Sequence, residues 1–264
     1  MLKTNFFYLL FVTLSVLTCR PQSLGNLESD GPQLYFQPTP KMFPSSWYDK
    51  EIKAQTAALP DQEVKRSTQC LQEALKKYPK KIITENLTGV YVLGKLNFYG
   101  LNYGGTYYKS TVFIGNKGVE NGYTDEWLQQ TFHHEFSSIL LKNYRNYFNE
   151  SEWLKCNSSD FTYGSGGKNA IAEGKSSSEF DSNFNQIGLL NQYSAAELEE
   201  DFNEFSENLF YPHEGFNHVL EKYAAIRKKR EILIDFYQHI DPSFTKLFFD
   251  NILSGTADEP LNGK

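Results

Sequence analysis

His133, His134 and Glu135 stand side by side in residues 122–141, a stretch with the apolar spacing of a helix. An imidazole nitrogen is a good zinc ligand, and a glutamate beside it can take a proton from metal-bound water. On a helix that chemistry needs a second histidine four residues after the first, so that both rings leave the same face. His134 and Glu135 supply the first half of the pattern. The place of the second ring is held by Ser138, a neutral alcohol and a poor ligand beside an imidazole. His133 cannot take over unless the helix is locally distorted, because neighbours on a helix point about 100° apart. The legible chemistry is metal-assisted hydrolysis with one ligand exchanged for a hydroxyl. His213, His218 and His239 are the other histidines; each either folds back to complete the set or sits at the surface.

The helix that must carry these residues has Thr124 as its N-cap and continues towards Tyr147, with Asp125 and Glu126 in a first turn that favours negative charge. Leu128, Phe132, Phe136, Ile139 and Leu140 share one apolar face. Trp127, Thr131, His134, Ser138 and Leu141 share another, polar in its middle and apolar at both ends, which is not the pattern of a solvated stripe. A second helix is expected from the capping box Ser194–Glu197 to about Phe210, before Pro212. Leu198, Phe202, Phe205 and Leu209 form its core stripe. Glu200 and Glu204 lie one turn apart on a different face, which is either a solvated acidic face or part of a site. Tyr193 either points into a cleft as a hydrogen-bond donor or packs as an ordinary tyrosine.

Helices are expected over 45–58 and 61–78, the latter with Asp61 as N-cap. Residues 88–99 and 106–115 are rich in β-branched and aromatic types and separated by glycines, which predicts two or three strands. Residues 158–188 are rich in Ser, Gly and Asn, so they form a long loop that either overhangs a cleft or is a surface insertion. Residues 215–239 and 241–253 complete a helical C-terminal part. Its basic run, 227–230, reads as an exposed helix face.

The chain has 264 residues, enough for one sizeable core, and a formal charge of −6 with no basic run suited to nucleic acid. Aromatic residues make up 16%, which suits a packed body and also a surface that grips sugars or peptides. Lys3 and the apolar residues 6–17 form a signal peptide (1–18) whose apolar run is short for a membrane span. Cys19 directly follows, which resembles a bacterial lipobox with Thr18 where a smaller residue is usual; an ordinary secreted protein is the alternative. Residues 19–44, interrupted by prolines, read as a tether, and 45–264 as a single domain. Cys70 and Cys156 remain, either bridged or as two thiols.

Phe132-His-His-Glu-Phe136, followed some sixty residues later by Glu200-Asp-Phe-Asn-Glu204, resembles the zinc-binding metallopeptidases of exported bacterial lipoproteins. In particular it is similar to the substrate import-associated zinc metallohydrolase lipoproteins, which accompany TonB-dependent outer-membrane importers, and to gluzincins of the lethal-factor type. The likeness runs from about residue 45 onward, and the lipobox fits it. It implies an α+β, zincin-like fold, with a small mainly antiparallel or mixed sheet packed on the His-bearing helix. It implies His134 and Glu200 as zinc ligands, Glu135 as general base, and Glu204 orienting a ligand, with His133 or Ser138 as substitutes at the missing position. It also implies a peptide or protein substrate, an importer and its surface lipoprotein as partners, and outer-membrane attachment through lipid on Cys19. Two functions follow: a zinc-dependent hydrolase, or an accessory binding lipoprotein on the same scaffold with its chemistry abandoned. A third, purely structural reading makes His134 and Glu135 a satisfied core pair.

Overall fold

The computed structural model describes residues 31–256. The expected signal peptide, Cys19 and the first part of the expected tether lie outside the described residues. The protein is α+β. Strand β1 (Gln33–Tyr35) is followed by a short 3-10 turn, Ser45–Tyr48, and by β2 (Gln55–Ala57). Helices α1 (Asp61–Lys76) and α2 (Lys80–Asn86) lead into β3 (Gly89–Leu93), β4 (Lys95–Phe98), β5 (Leu101–Asn102), β6 (Gly105–Tyr108) and β7 (Thr111–Gly115). After them come α3 (Asp125–Asn143), α4 (Glu150–Lys155), α5 (Gly167–Ala172), α6 (Ser182–Gln186), α7 (Leu198–Phe210), α8 (Phe216–Lys222), α9 (Ala224–Ile240) and α10 (Lys246–Ser254).

The larger sheet has the order β1-β3-β7-β6 and is mixed: β1, β3 and β7 run parallel, and β6 is an antiparallel edge strand. Successive side chains of a strand point to opposite faces. Val90, Val92, Val112 and Ile114 therefore enter the main core under the helices, whereas Tyr91, Leu93 and Phe113 enter a smaller one. There they meet Met42, Phe43, Leu96 and Phe98, part of which comes from a second sheet, β2-β4-β5.

Several expectations change here. The tether does not extend to residue 44: β1 pairs with β3, and Leu34, Phe36, Met42 and Phe43 are buried, so the folded body includes residues that read as linker. The helix expected over 45–58 is a single 3-10 turn and a strand, because Lys53 takes a left-handed backbone (φ 53°) and β2 pairs with β4. Five strands, not two or three, occupy 88–115. Pro60, not Asp61, precedes α1 as its cap, and Asp61 falls in the first turn. The capping box does not form: Ser194 lies in a 3-10 turn and Glu197 is the N-cap residue of α7. Residues 158–188 contain the short helices α5 and α6. Cys70 and Cys156 are both free thiols.

Helix α3 forms with the expected cap but ends at Asn143, short of Tyr147, and Arg145–Tyr147 is a separate 3-10 turn. Thr124 accepts a hydrogen bond from the Trp127 backbone N–H at 3.1 Å, which satisfies one of the donors that a helix start leaves open. Leu128, Phe132, Phe136, Ile139 and Leu140 are all buried in the main core. Removing a side chain of that kind from water contributes about 1.5–3 kcal/mol each. Helix α7 lies against α3 and is buried from Asp201 through Phe210.

Candidate metal centre

The α3 face that carries Trp127, Thr131 and His134 lines a cleft of about 230 Å³. Its opposite wall is α7, where Glu200, Glu204 and Glu207 recur at helix spacing and turn towards His134. The imidazole is gripped on both nitrogens: Nε2 lies 3.0 Å from Glu200 Oε2, and Nδ1 lies 3.0 Å from Glu207 Oε2. Glu204 Oε1 stands 3.8 Å from Nδ1. Burial alone would lower the His134 pKa, but hydrogen bonds to Glu200 and Glu207, and their charges, hold it well above the ordinary imidazole value. Glu204 is only 2% exposed. Burial, and then the charge of Glu207, push its carboxyl well above the usual range.

The surroundings fix these groups. Tyr193 donates its hydroxyl to Glu200 Oε1 at 2.8 Å and lays its ring parallel to His134, so it points into the cleft. Asn191 Nδ2 donates to Glu204 Oε2 at 2.5 Å. Glu135, 9% exposed, lines the same cleft next to Gly105, and no hydrogen bond reaches its carboxyl among the described residues. Burial pushes it up to about 8, the His134 charge working against the shift and the Glu200 charge adding to it.

Ser138 is 2% exposed, and its hydroxyl accepts from Asn203 Nδ2 at 2.7 Å. Ser137 shares its hydroxyl proton between the His134 carbonyl at 2.7 Å and Asn203 Oδ1 at 2.6 Å. The Asn203 amide thus bridges α7 to α3 at the place where a second imidazole is expected. His133 does not substitute. It is fully buried on another side of the helix, 2.8 Å through Nδ1 from the Tyr78 hydroxyl and stacked on Phe210, and burial keeps it neutral. His213, His218 and His239 do not line the cleft either; His213 and His218 border a separate cavity with Glu214 and Lys222. A two-histidine, one-glutamate zinc centre therefore does not fit these residues. His134 and Glu200 face each other properly, but the remaining corner is a hydroxyl already committed to an amide. A different donor set does converge: His134, Glu204 and Glu207 offer ligand atoms all within 4.8 Å of one another.

Glu207, Asn203 and Asn191 were not expected. Glu207 was findable, since it stands seven residues after Glu200 and three after Glu204, on the same face. Asn203 and Asn191 carry no comparable signal.

The loop 158–188 overhangs the cleft, with Ile171, Ser176 and Ser178 among its lining residues. Lys168 sits over the Tyr99 ring at 3.7 Å, and the Gly167 backbone N–H donates to Glu197 Oε1 at 2.9 Å. A Cβ on Gly167 would overlap Glu200 Oε1 and the Tyr193 hydroxyl. Gly167→Ala is accordingly expected to push the loop outward at a cost of about 1–3 kcal/mol, the usual penalty of overpacking. Limited proteolysis should then cut within 158–188 faster than in the parent; an unchanged rate would mean that the loop does not bear on Glu200.

Compared with family models, curated proteins and solved structures, the chain gives no match to any of them. Among the described residues no helix is long and apolar enough to cross a membrane.

Proposed function

We propose that this chain is an exported accessory lipoprotein on a zincin-like, metallohydrolase-type scaffold, which grips an extended peptide or protein segment without cutting it. In this reading lipid on Cys19 holds it at the outer membrane, where it serves a TonB-dependent import system. One observation carries the loss of hydrolysis: the Ser138 hydroxyl accepts from Asn203 at the position a second metal-binding imidazole would need. The bond ties the two helices together, so the substitution is built into the packing of α3 and α7.

Retention of a binding cleft is supported by the sheet edge. Among the described residues strand β6 pairs only with β7, and Gly105 at its start and Gly104 before it line the cleft. An edge strand offers unpaired backbone donors and acceptors to an extended segment, and aromatic walls such as Trp127 and Tyr193 supply contact area. The hydrolase reading keeps one observation in its favour, namely that His134 and Glu135 line one cleft and Glu200 Oε2 lies 3.0 Å from His134 Nε2.

The two are separated by incubating the full chain, in excess zinc, with a peptide library and reading both bound and cleaved species by mass spectrometry. Enrichment of intact peptides, with the same pattern for Glu135→Gln, is expected. A pool of cleaved products that vanishes in Glu135→Gln would overturn the proposal.

A further inference from the structure

The sequence resemblance puts His134 and Glu200 on the metal and Glu204 behind it. The geometry points to the reverse. We propose that the cleft holds a divalent cation on His134 Nδ1, Glu204 Oε1 and Glu207 Oε2, with Glu200 orienting the imidazole through its Nε2–H. This goes beyond the binding function proposed above and does not depend on it, since a cation at this place is compatible with a cleft that grips and does not cut.

Distances carry the first part of the argument. Donor atoms about 2.1 Å from a common ion lie about 3.0–3.4 Å from one another in octahedral or tetrahedral arrangements. Nδ1 and Glu207 Oε2 are already 3.0 Å apart, Glu204 Oε1 is 3.8 Å from Nδ1, and ligand atoms of the three residues lie within 4.8 Å of one another, so the set closes on an ion by contracting. The supporting contacts carry the second part. A metal-bound histidine ordinarily donates its other ring N–H to a carboxylate, and ligand carboxylates are themselves held by hydrogen bonds. Glu200 is placed 3.0 Å from Nε2 with Tyr193 fixing its far oxygen, and Asn191 holds the oxygen of Glu204 that faces away from the imidazole. Each orienting contact is thus already in place around Nδ1.

Charge gives an independent indication. Glu135, Glu204 and Glu207 line the cleft, and among the described residues no lysine or arginine does. Glu135, nine-tenths buried and without a hydrogen bond, faces the same space. Two carboxylates and a neutral imidazole carry a charge of −2, opposite in sign to that of a divalent cation. One nitrogen among oxygens suits the manganese-to-zinc series rather than a thiolate-seeking ion.

The test uses the full chain titrated with Mn²⁺ or Zn²⁺ alone, read by calorimetry and by loss of the free Mn²⁺ resonance signal. One equivalent is expected to bind. Glu207→Gln should weaken it by more than about 100-fold and Glu200→Gln, which disturbs only an orienting contact, by about 10–100-fold. A second measurement does not depend on variants folding. In zinc-loaded protein with ¹⁵N-labelled histidine, the metal-induced shift should fall on His134 Nδ1 while Nε2 keeps its proton. Failure of the parent chain to bind either ion would overturn the proposal, and so would a zinc-induced shift on Nε2 or abolition by Glu200→Gln with Glu207→Gln unaffected.

Discussion

Lys229→Met is expected to destabilise the protein by about 3–5 kcal/mol, the cost of stranding one partner of a buried ion pair. The Lys229 ammonium is 0% exposed and lies 2.6 Å from Asp201 Oδ2. The same carboxylate oxygen accepts from Trp153 Nε1 at 2.8 Å and from the Tyr163 hydroxyl at 2.6 Å. Without the ammonium, Asp201 keeps two neutral donors and must protonate or remain an uncompensated charge in the core. Burial pushes the Asp201 carboxyl up and the Lys229 ammonium down even with the two in contact, so taking both charges from water outweighs their attraction. The double change Asp201→Asn with Lys229→Met, which removes both charges and keeps an acceptor for Trp153 and Tyr163, should therefore recover part of the loss. Urea unfolding of the two singles and the double measures the coupling. Additive losses would show that the pair is not a unit.

The second large effect is a gain. Ser138→His alone should gain little zinc affinity over the parent, because the new ring must displace the Asn203 amide in a fully packed place, at about 1–3 kcal/mol. Ser138→His with Asn203→Ala empties that place and presents two imidazoles four residues apart on α3, opposite Glu200. Zinc should then bind at least about 100-fold more tightly than to the parent, more than a single orienting contact is worth. Competition against a chromophoric chelator gives the number. If the double variant binds zinc no better than the parent, α3 and α7 were not arranged for a two-histidine centre, and the likeness to metallohydrolases loses its physical basis.

Much of this arrangement is legible in the sequence because it is local. Helix α3 declares itself through an apolar repeat and a Thr124 cap, and its mixed second face announces a cleft rather than solvent. The acidic residues of α7 are also visible, and the Ser158-onward loop reads correctly as a possible overhang. What depends on distant partners is not legible. Gln33–Tyr35 becomes a strand only because β3, more than fifty residues later, offers it an edge. Lys229 sits in a basic run that looks solvated, and only the fold brings Asp201 of α7 beneath it. Glu207 escapes notice because attention to a two-glutamate spacing stops one turn short, and Ser138 reads as damage until Asn203 is seen bonded to it.

The burial of α7 has a kinetic consequence. Every residue from Asp201 through Phe210 is buried, so this helix cannot loosen without exposing the centre of the protein. Its backbone amides should exchange with deuterium only through near-global unfolding, on the slowest timescale the molecule has. The carboxylates facing His134 are thus carried by the stiffest part of the body. On the other side of the cleft, the overhang contributes Ile171, Ser176 and Ser178, while α7 contributes the carboxylates of Glu204 and Glu207.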